Sequence, residues 1–408
     1  MSILRPFRAL RPQAAKIEQI AAVPYDVVDR DEAQALAQER PLSFLHISRA
    51  EIDLDPELDP YSPQVYERAR MNFQQLQQEG HLVADEQPCL YIYRLKMGDH
   101  VQTGIAATFS VDEYDGSLIK KHEKTRKAKE DDRTRHIIGL RSQTGPVFLT
   151  YRPRPGIDQE VTRLTASAPL YDFTAEDGVV HTVWRVSDCD TLVKEFAQLK
   201  ALYIADGHHR AASASRARAA LREEAGNWTG DEPANYFLAV AFPADQVQIL
   251  PYNRILYDLG ARTPAQFLEA VQAALPTTPG ASPRPEAPGR CSLYVEGKWY
   301  NVALAQSAPA SGGPAAKLDV AVLQAKVLED ILGIEDIRTD PRVDFVGGIR
   351  GTEELVRLVD SGKAKAAFSM YATSLDQLMQ ISDADEIMPP KSTWFEPKLR
   401  DGVVNHSI

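Results

Sequence analysis

Between a short apolar run, Ala201-Leu202-Tyr203-Ile204-Ala205, and a stretch rich in alanine and arginine lies the pentapeptide Asp206-Gly207-His208-His209-Arg210. A strand that turns at a glycine into a helix leaves backbone N–H groups unpaired at the helix start, and such groups bind anions. Gly207 lets a phosphate come close to the backbone, and Arg210 offers a forked donor matched to phosphate oxygens. Asp206 is a candidate Mg²⁺ ligand, and His208 or His209 a candidate donor to a phosphoryl oxygen or a general acid. The plain structural alternative is that Asp206 caps the helix and the histidines are solvated. Zinc is disfavoured, because adjacent side chains on a helix point about 100° apart and no third ligand lies nearby in sequence.

Two further clusters carry chemistry. Glu123 follows His122 within a run of lysines and arginines, where a carboxylate stays ionised and can accept a proton from a substrate hydroxyl. A salt-bridged helix face is the alternative reading of such a charge run. His122-Glu123 also opens the metalloprotease pattern, but the position four after His122 is Arg126, so that reading fails. Near the end, Pro389-Pro390 stiffens a loop that then presents Lys391, Ser392 and Thr393, one cation and two hydroxyls suited to a phosphate or carboxylate, or else a surface turn.

The elements that must position these residues follow from periodicity. Asp29 to Glu39 has the signature of a capped helix, and Pro60 to Gly80 carries Val65, Ala69, Phe73 and Leu76 at steps of three and four with a glycine stop. Tyr91 to Leu95 and Thr103 to Val111 are strands joined at Gly98-Asp99, and Pro146 to Tyr151 and Val179 to Val186 are further strands. The charged stretch from Ile119 to His136 is expected to be helical, and Ala211 to Glu224 is a second helix after the Asp-Gly loop. In the last third, helices near Asp319 to Leu332 and Thr352 to Ser361 accompany a strand at Ala366 to Tyr371. Pro276 to Pro288 and Ala305 to Ala316 are expected to be surface linkers around a hairpin broken at Gly297.

Composition narrows the classes. A chain of 408 residues exceeds one usual core, so two or three packed units are expected. With 46 Lys and Arg against 57 Asp and Glu, the net charge of −11 offers little general attraction to DNA, so nucleic acid is not an expected partner. Cys89, Cys189 and Cys291 lie about a hundred residues apart and form no Cys-x-x-Cys pair, which fits a reducing compartment. The start Met1-Ser2-Ile3-Leu4-Arg5-Pro6 interrupts any apolar leader, and no window approaches the ~20 apolar residues of a membrane helix. A soluble, cytoplasmic protein with no membrane partner is the expectation.

Taken in order, the segments Val23-Pro24-Tyr25-Asp26-Val27-Val28, Leu42-Ser43-Phe44-Leu45-His46, Lys121-His122-Glu123-Lys124-Thr125, Tyr203 to Arg210 and Met388 to Phe395 resemble the bacterial and archaeal domain-of-unknown-function family 1015 over nearly the whole chain. Three of them also look like segments of the free L-serine kinases, which share the ParB and sulfiredoxin-like nucleotide-binding fold. That resemblance implies Glu123 as base on a serine hydroxyl, with His122, Asp206 and His209 completing the catalytic set. It implies Gly207, His208, Arg210 and Lys391 as contacts to ATP or ADP, Asp206 as the Mg²⁺ ligand, and Ser392 and Thr393 as substrate contacts. The serine kinases are much shorter, so residues 1 to about 110 and much of 225 to 365 have no counterpart there. Trp394 or Phe395 falls near the arginine that follows their Pro-Lys-Thr-Thr run.

The expected fold is α+β, with mixed sheets and packed helices. A ParB/sulfiredoxin-like core at 113–260 follows an α+β segment at 1–112, and a C-terminal α+β segment at 261–408 returns the 388–395 loop to the site. The expected activity is transfer of phosphate from a nucleotide to an amino-acid-like hydroxyl, free serine first. The alternative is a ParB-like nucleotide-binding regulator or DNA-associated protein without catalysis, for which no basic helix-turn-helix is evident. A sulfiredoxin-like reductase needs Gly-Cys-His-Arg, and His208 stands at the cysteine position.

Overall fold

Alternation of apolar residues builds the main sheet. Along Leu90–Met97, His100–Ser110, Val147–Tyr151, Leu202–Asp206 and Tyr236–Pro243, alternating apolar side chains enter one cluster that includes Ile92, Ile105, Phe109, Leu149, Ile204 and Phe237. The intervening residues Tyr91, Tyr93, Phe148, Tyr203 and Phe242 are buried as well, so the sheet is covered on both faces. In the computed structural model, which describes residues 4–309 and 311–408, these strands belong to one nine-stranded mixed sheet. Its order runs Ile119–Lys120, Leu202–Asp206, Val147–Tyr151, Tyr236–Pro243, His100–Ser110, Leu90–Met97, Val180–Val186, Tyr171–Thr174, with Leu4–Arg5 also paired to His100–Ser110. Leu202–Asp206 lies parallel to Ile119–Lys120 and antiparallel to Val147–Tyr151. The fold is α+β.

The chain divides into two compact units, one of residues up to Val247 together with Pro397–Ile408, the other Gln248–Glu396. Strands from both sides of residue 112 share the main sheet. The last residues of the chain also belong to the first unit: Asn405–Ser407 pairs with Ala9–Pro12 and Ser142–Gln143. A second core in this unit forms around the helix Pro63–Gln78, whose Val65, Ala69, Phe73 and Leu76 pack with Ile20, Phe44 and Leu45. Full burial of a Phe, Leu or Val side chain contributes about 1.5–3 kcal/mol, enough to dock this helix despite its polar outer face.

The charged stretch after Ile119 departs from the expected continuous helix. Ile119–Lys120 is a strand, residues 121–126 are a loop, and the helix begins only at Lys127, running to Leu140. Parallel pairing of Ile119 with Leu202 and Lys120 with Tyr203 holds the segment extended, which overrides its helical propensity. Glu123 therefore sits on a loop.

The second unit contains a six-stranded antiparallel sheet, ordered Thr277–Pro279, Lys298–Ala303, Arg290–Val295, Ala366–Met370, Tyr252–Leu256, Val343–Gly347. The stretch expected as a linker from Pro276 supplies its edge strand, a position where Pro279 is tolerated because the outer side needs no donor. Helices Pro264–Ala274 and Leu375–Asp383 start with capping boxes at Thr263 and Ser374. The helix from Asp319 is regular to Leu323 and then widens into a π-helix over Gln324–Glu329. No helix among the described residues is long and apolar enough to cross a membrane.

Candidate functional site

Strand Leu202–Asp206 ends at Gly207, which adopts φ 93° and starts the helix His208–Ala225. No side chain caps this helix, so its first N–H groups and the positive end of its dipole are offered at the loop. A Cβ on Gly207 would lie 3.0 Å from Arg210 Nε, and its left-handed backbone disfavours any side chain.

The histidine pair does structural work on the Glu123 loop. The His122 N–H donates to His208 Nε2 at 3.4 Å, and the Arg126 N–H donates to His209 Nε2 at 3.0 Å. Because each Nε2 accepts, the hydrogen-bond pattern assigns the proton of both neutral rings to Nδ1. Burial, reinforced by neighbouring His122, holds His208 well below the ordinary histidine range, so it is neutral at pH 7. Burial also lowers His122, to about 4, and its Nδ1 has no partner among the described residues. The His122 and His208 rings meet edge to face with centroids 4.4 Å apart. Two segments 86 residues apart are thereby pinned together.

The pinning brings Glu123 Oε2 to 3.8 Å from His208 Nδ1, beyond hydrogen-bond reach. The Glu123 side chain is 40% exposed against 4% for His208, which leaves the carboxylate accessible from solvent. Helix Lys127–Leu140 fixes the far side of this loop: Arg216 of the second helix pairs with Glu130 and Asp131, and the Ser213 hydroxyl donates to the Glu130 carbonyl at 3.1 Å.

Asp206 and Arg210 face inward. Asp206 Oδ1 accepts from the Gly207 N–H at 2.8 Å, and Oδ2 accepts from Lys398 Nζ at 3.0 Å. Burial alone would raise the Asp206 pKa, but Lys398 and Arg210 outweigh it and hold the carboxyl well below its usual range. The Arg210 guanidinium, 8% exposed, donates to the Pro146 carbonyl and lies 3.8 Å from Asp26 Oδ2 and 3.7 Å from Asp206 Oδ2. Its fork is turned to the protein, so Arg210 stiffens the loop; the expected direct grip on phosphate is not its geometry here.

Asp206 does not fit the expected Mg²⁺ ligand. Both its oxygens already accept from donors, and a divalent ion there would face the Lys398 ammonium and the Arg210 guanidinium. Among the described residues, no group of three or more His, Cys, Asp and Glu side chains is placed to hold a metal ion.

The loop of Lys391, Ser392 and Thr393 belongs to the second unit. The Ser392 hydroxyl donates to the Pro389 carbonyl at 2.6 Å, and the Thr373 hydroxyl donates to the Ser392 carbonyl at 3.0 Å. Lys391 adopts φ 57° and places Nζ 5.3 Å from the Tyr252 ring centre.

Three residues of the first site escaped the sequence reading of roles: Asp26, Lys398 and Asp401. Asp26 lies in a segment that carried the family resemblance, which was the available signal; the other two sit in an unremarkable C-terminal stretch and are linked to the loop only by folding. Burial pushes the Asp401 carboxyl up to about 7, with Asp26 adding and Arg210 opposing, and its Oδ1 has no partner among the described residues. A group whose folded pKa is raised contributes stability below its unfolded pKa and loses it as pH rises toward 7. Asp401→Asn is therefore expected to flatten the fall in melting temperature between pH 4 and pH 8; a fall as steep as that of the parent protein would rule Asp401 out as its source.

The mixed α+β unit thus brings an uncapped helix start, a neutral histidine and a half-exposed carboxylate together at one loop. The chain belongs to the family described as "Protein of unknown function (DUF1015)", whose pattern matches residues 4–321. Among proteins of curated function none matches. Similar solved structures include a free serine kinase in complex with AMP, at 15% identity and TM-score 0.36, covering 74% of this chain and 91% of that one. SbnI with C-terminal truncation from Staphylococcus aureus is similar at 13% identity and TM-score 0.40, covering 72% and 85%. A conserved hypothetical protein from Pyrococcus furiosus is similar at 15% identity and TM-score 0.36, covering 73% and 94%.

Proposed function

We propose that the first unit is a nucleotide-dependent phosphotransferase acting on the hydroxyl of a serine-like metabolite, free L-serine first, with ATP or ADP as donor. The observation that carries the reading is the pinned juxtaposition of Glu123 with the Asp206 to Arg210 loop. In the proposed step the Glu123 carboxylate takes the substrate hydroxyl proton as the oxygen attacks the terminal phosphorus. The bond from phosphorus to the bridging oxygen breaks, and the nucleoside phosphate leaves with that electron pair. The N–H groups of the helix His208–Ala225 receive the phosphate oxygens, and its dipole offsets their charge. Neutral His208 places no positive charge of its own beside the Glu123 carboxylate. Asp206, Lys398 and Arg210 hold the turn in shape. Any Mg²⁺ would be carried on the nucleotide phosphates, and no step here depends on it.

Nucleotide binding at the turn can be tested apart from catalysis. Gly207→Val forces a β-branched residue into the left-handed region and against Arg210, closing the cradle. Calorimetric titration with ADP and ATP is expected to show binding to the parent protein that weakens at least about tenfold in the variant. Circular dichroism controls for folding. Equal affinity in the two proteins would remove the turn from the nucleotide site.

A further inference from the structure

Beside the helix Lys127–Leu140, the N-terminal segments enclose a cavity of about 330 Å³, far above the ~10–15 Å³ that one water occupies and within the range of small-molecule sites. Its lining includes the phenol rings of Tyr25, Tyr61 and Tyr66 and the aliphatic side chains of Ile47, Leu58 and Val65. Its charged lining is Arg30, Arg49, Lys129 and Arg133 against Glu51 and Asp132, a cationic surplus in a protein of net charge −11. His136, lowered to about 4 by burial, adds no charge at neutral pH.

Arg30 gives its donors to the carbonyls of Glu51, Leu54 and Pro56, and no ion pair of its guanidinium is found among the described residues. Lys129 Nζ donates to the Tyr61 hydroxyl at 3.0 Å and so stands at the cavity rim beside a ring. An independent observation points the same way. Ser48 is 3% exposed, its hydroxyl has no hydrogen-bond partner among the described residues, and it lines this cavity. A buried hydroxyl without a partner is unfavourable, and an acceptor oxygen on a ligand would give it one.

We propose that this cavity is a second small-molecule site, which takes an organic anion with a flat or apolar body, its anionic oxygens facing Ser48 and the basic side chains. The proposal is independent of the phosphotransfer reading. Phenylacetate and phenyl phosphate supply the same body with a carboxylate or a phosphate, and benzylamine supplies it with a positive charge. Calorimetric titration of the full chain is expected to show one equivalent of at least one anion bound, with benzylamine bound more weakly than that anion. Ser48→Leu, which removes the hydroxyl and fills the space, is expected to weaken that binding at least about tenfold while leaving ADP affinity unchanged. Where Ser48→Leu melts without a cooperative transition, Lys129→Gln serves for the same comparison. Absence of binding by both anions, equal binding of benzylamine, displacement of the anion by ADP, or an affinity that survives the substitution would each overturn the assignment.

Discussion

Glu123→Gln is expected to lower turnover by about 10²–10⁴-fold, the range associated with losing a positioned general base, while nucleotide affinity stays at its original value. The substitution preserves size and hydrogen-bonding capacity but removes the group that accepts the hydroxyl proton. Binding should survive because the loop is held by its backbone: the His122 and Arg126 N–H groups donate to His208 and His209, and neither contact uses the Glu123 side chain. Steady-state turnover and calorimetric nucleotide affinity, measured on the same preparation, separate the two effects. Loss of both together would point to a structural part for Glu123, and unchanged turnover would place the base elsewhere.

Asp206→Ala is expected to cost about 3 kcal/mol of unfolding free energy at pH 7, because it leaves Lys398 and Arg210 without their shared carboxylate in a mostly buried setting. The pH dependence has a definite sign. Asp206 has a folded-state pKa below its unfolded value, so its contribution is complete above about pH 4, the ordinary Asp value, and is lost as pH falls further. Urea unfolding of the two proteins should therefore give curves far apart at pH 7 that converge under acid conditions. A difference at pH 7 below about 0.5 kcal/mol, the size of an ordinary surface substitution, would mean the two cations find other partners.

Local elements were largely legible because they rest on short-range signals. The helix expected over Pro60 to Gly80 forms as Pro63–Gln78, and Val65, Ala69, Phe73 and Leu76 are its buried stripe. The turn at Gly98-Asp99 joins the strands foreseen around it, and Asp29 caps Arg30–Ala37 with a capping box. The candidate site was legible where motif residues meet through their own loops, as His122, Glu123 and Asp206 to Arg210 do. Other features depend on pairings distant in sequence. Lys398 reaches Asp206 across 192 positions, which no window of sequence reports. The loop at residues 121–126 was misjudged for the same reason, since its extended start is held by a strand more than 80 residues away.

Transfer of labelled phosphate is the measurement that reaches the central claim most directly. Purified protein would be incubated with Mg²⁺ and terminally labelled ATP, or β-labelled ADP, and a panel of amino acids and small alcohols, with products separated by mass. The expected result is label on the hydroxyl of one serine-like acceptor, with none formed by the Glu123→Gln protein. Nucleotide binding without label on any hydroxyl across the panel would contradict the account and leave the Asp206 loop as a binding site alone.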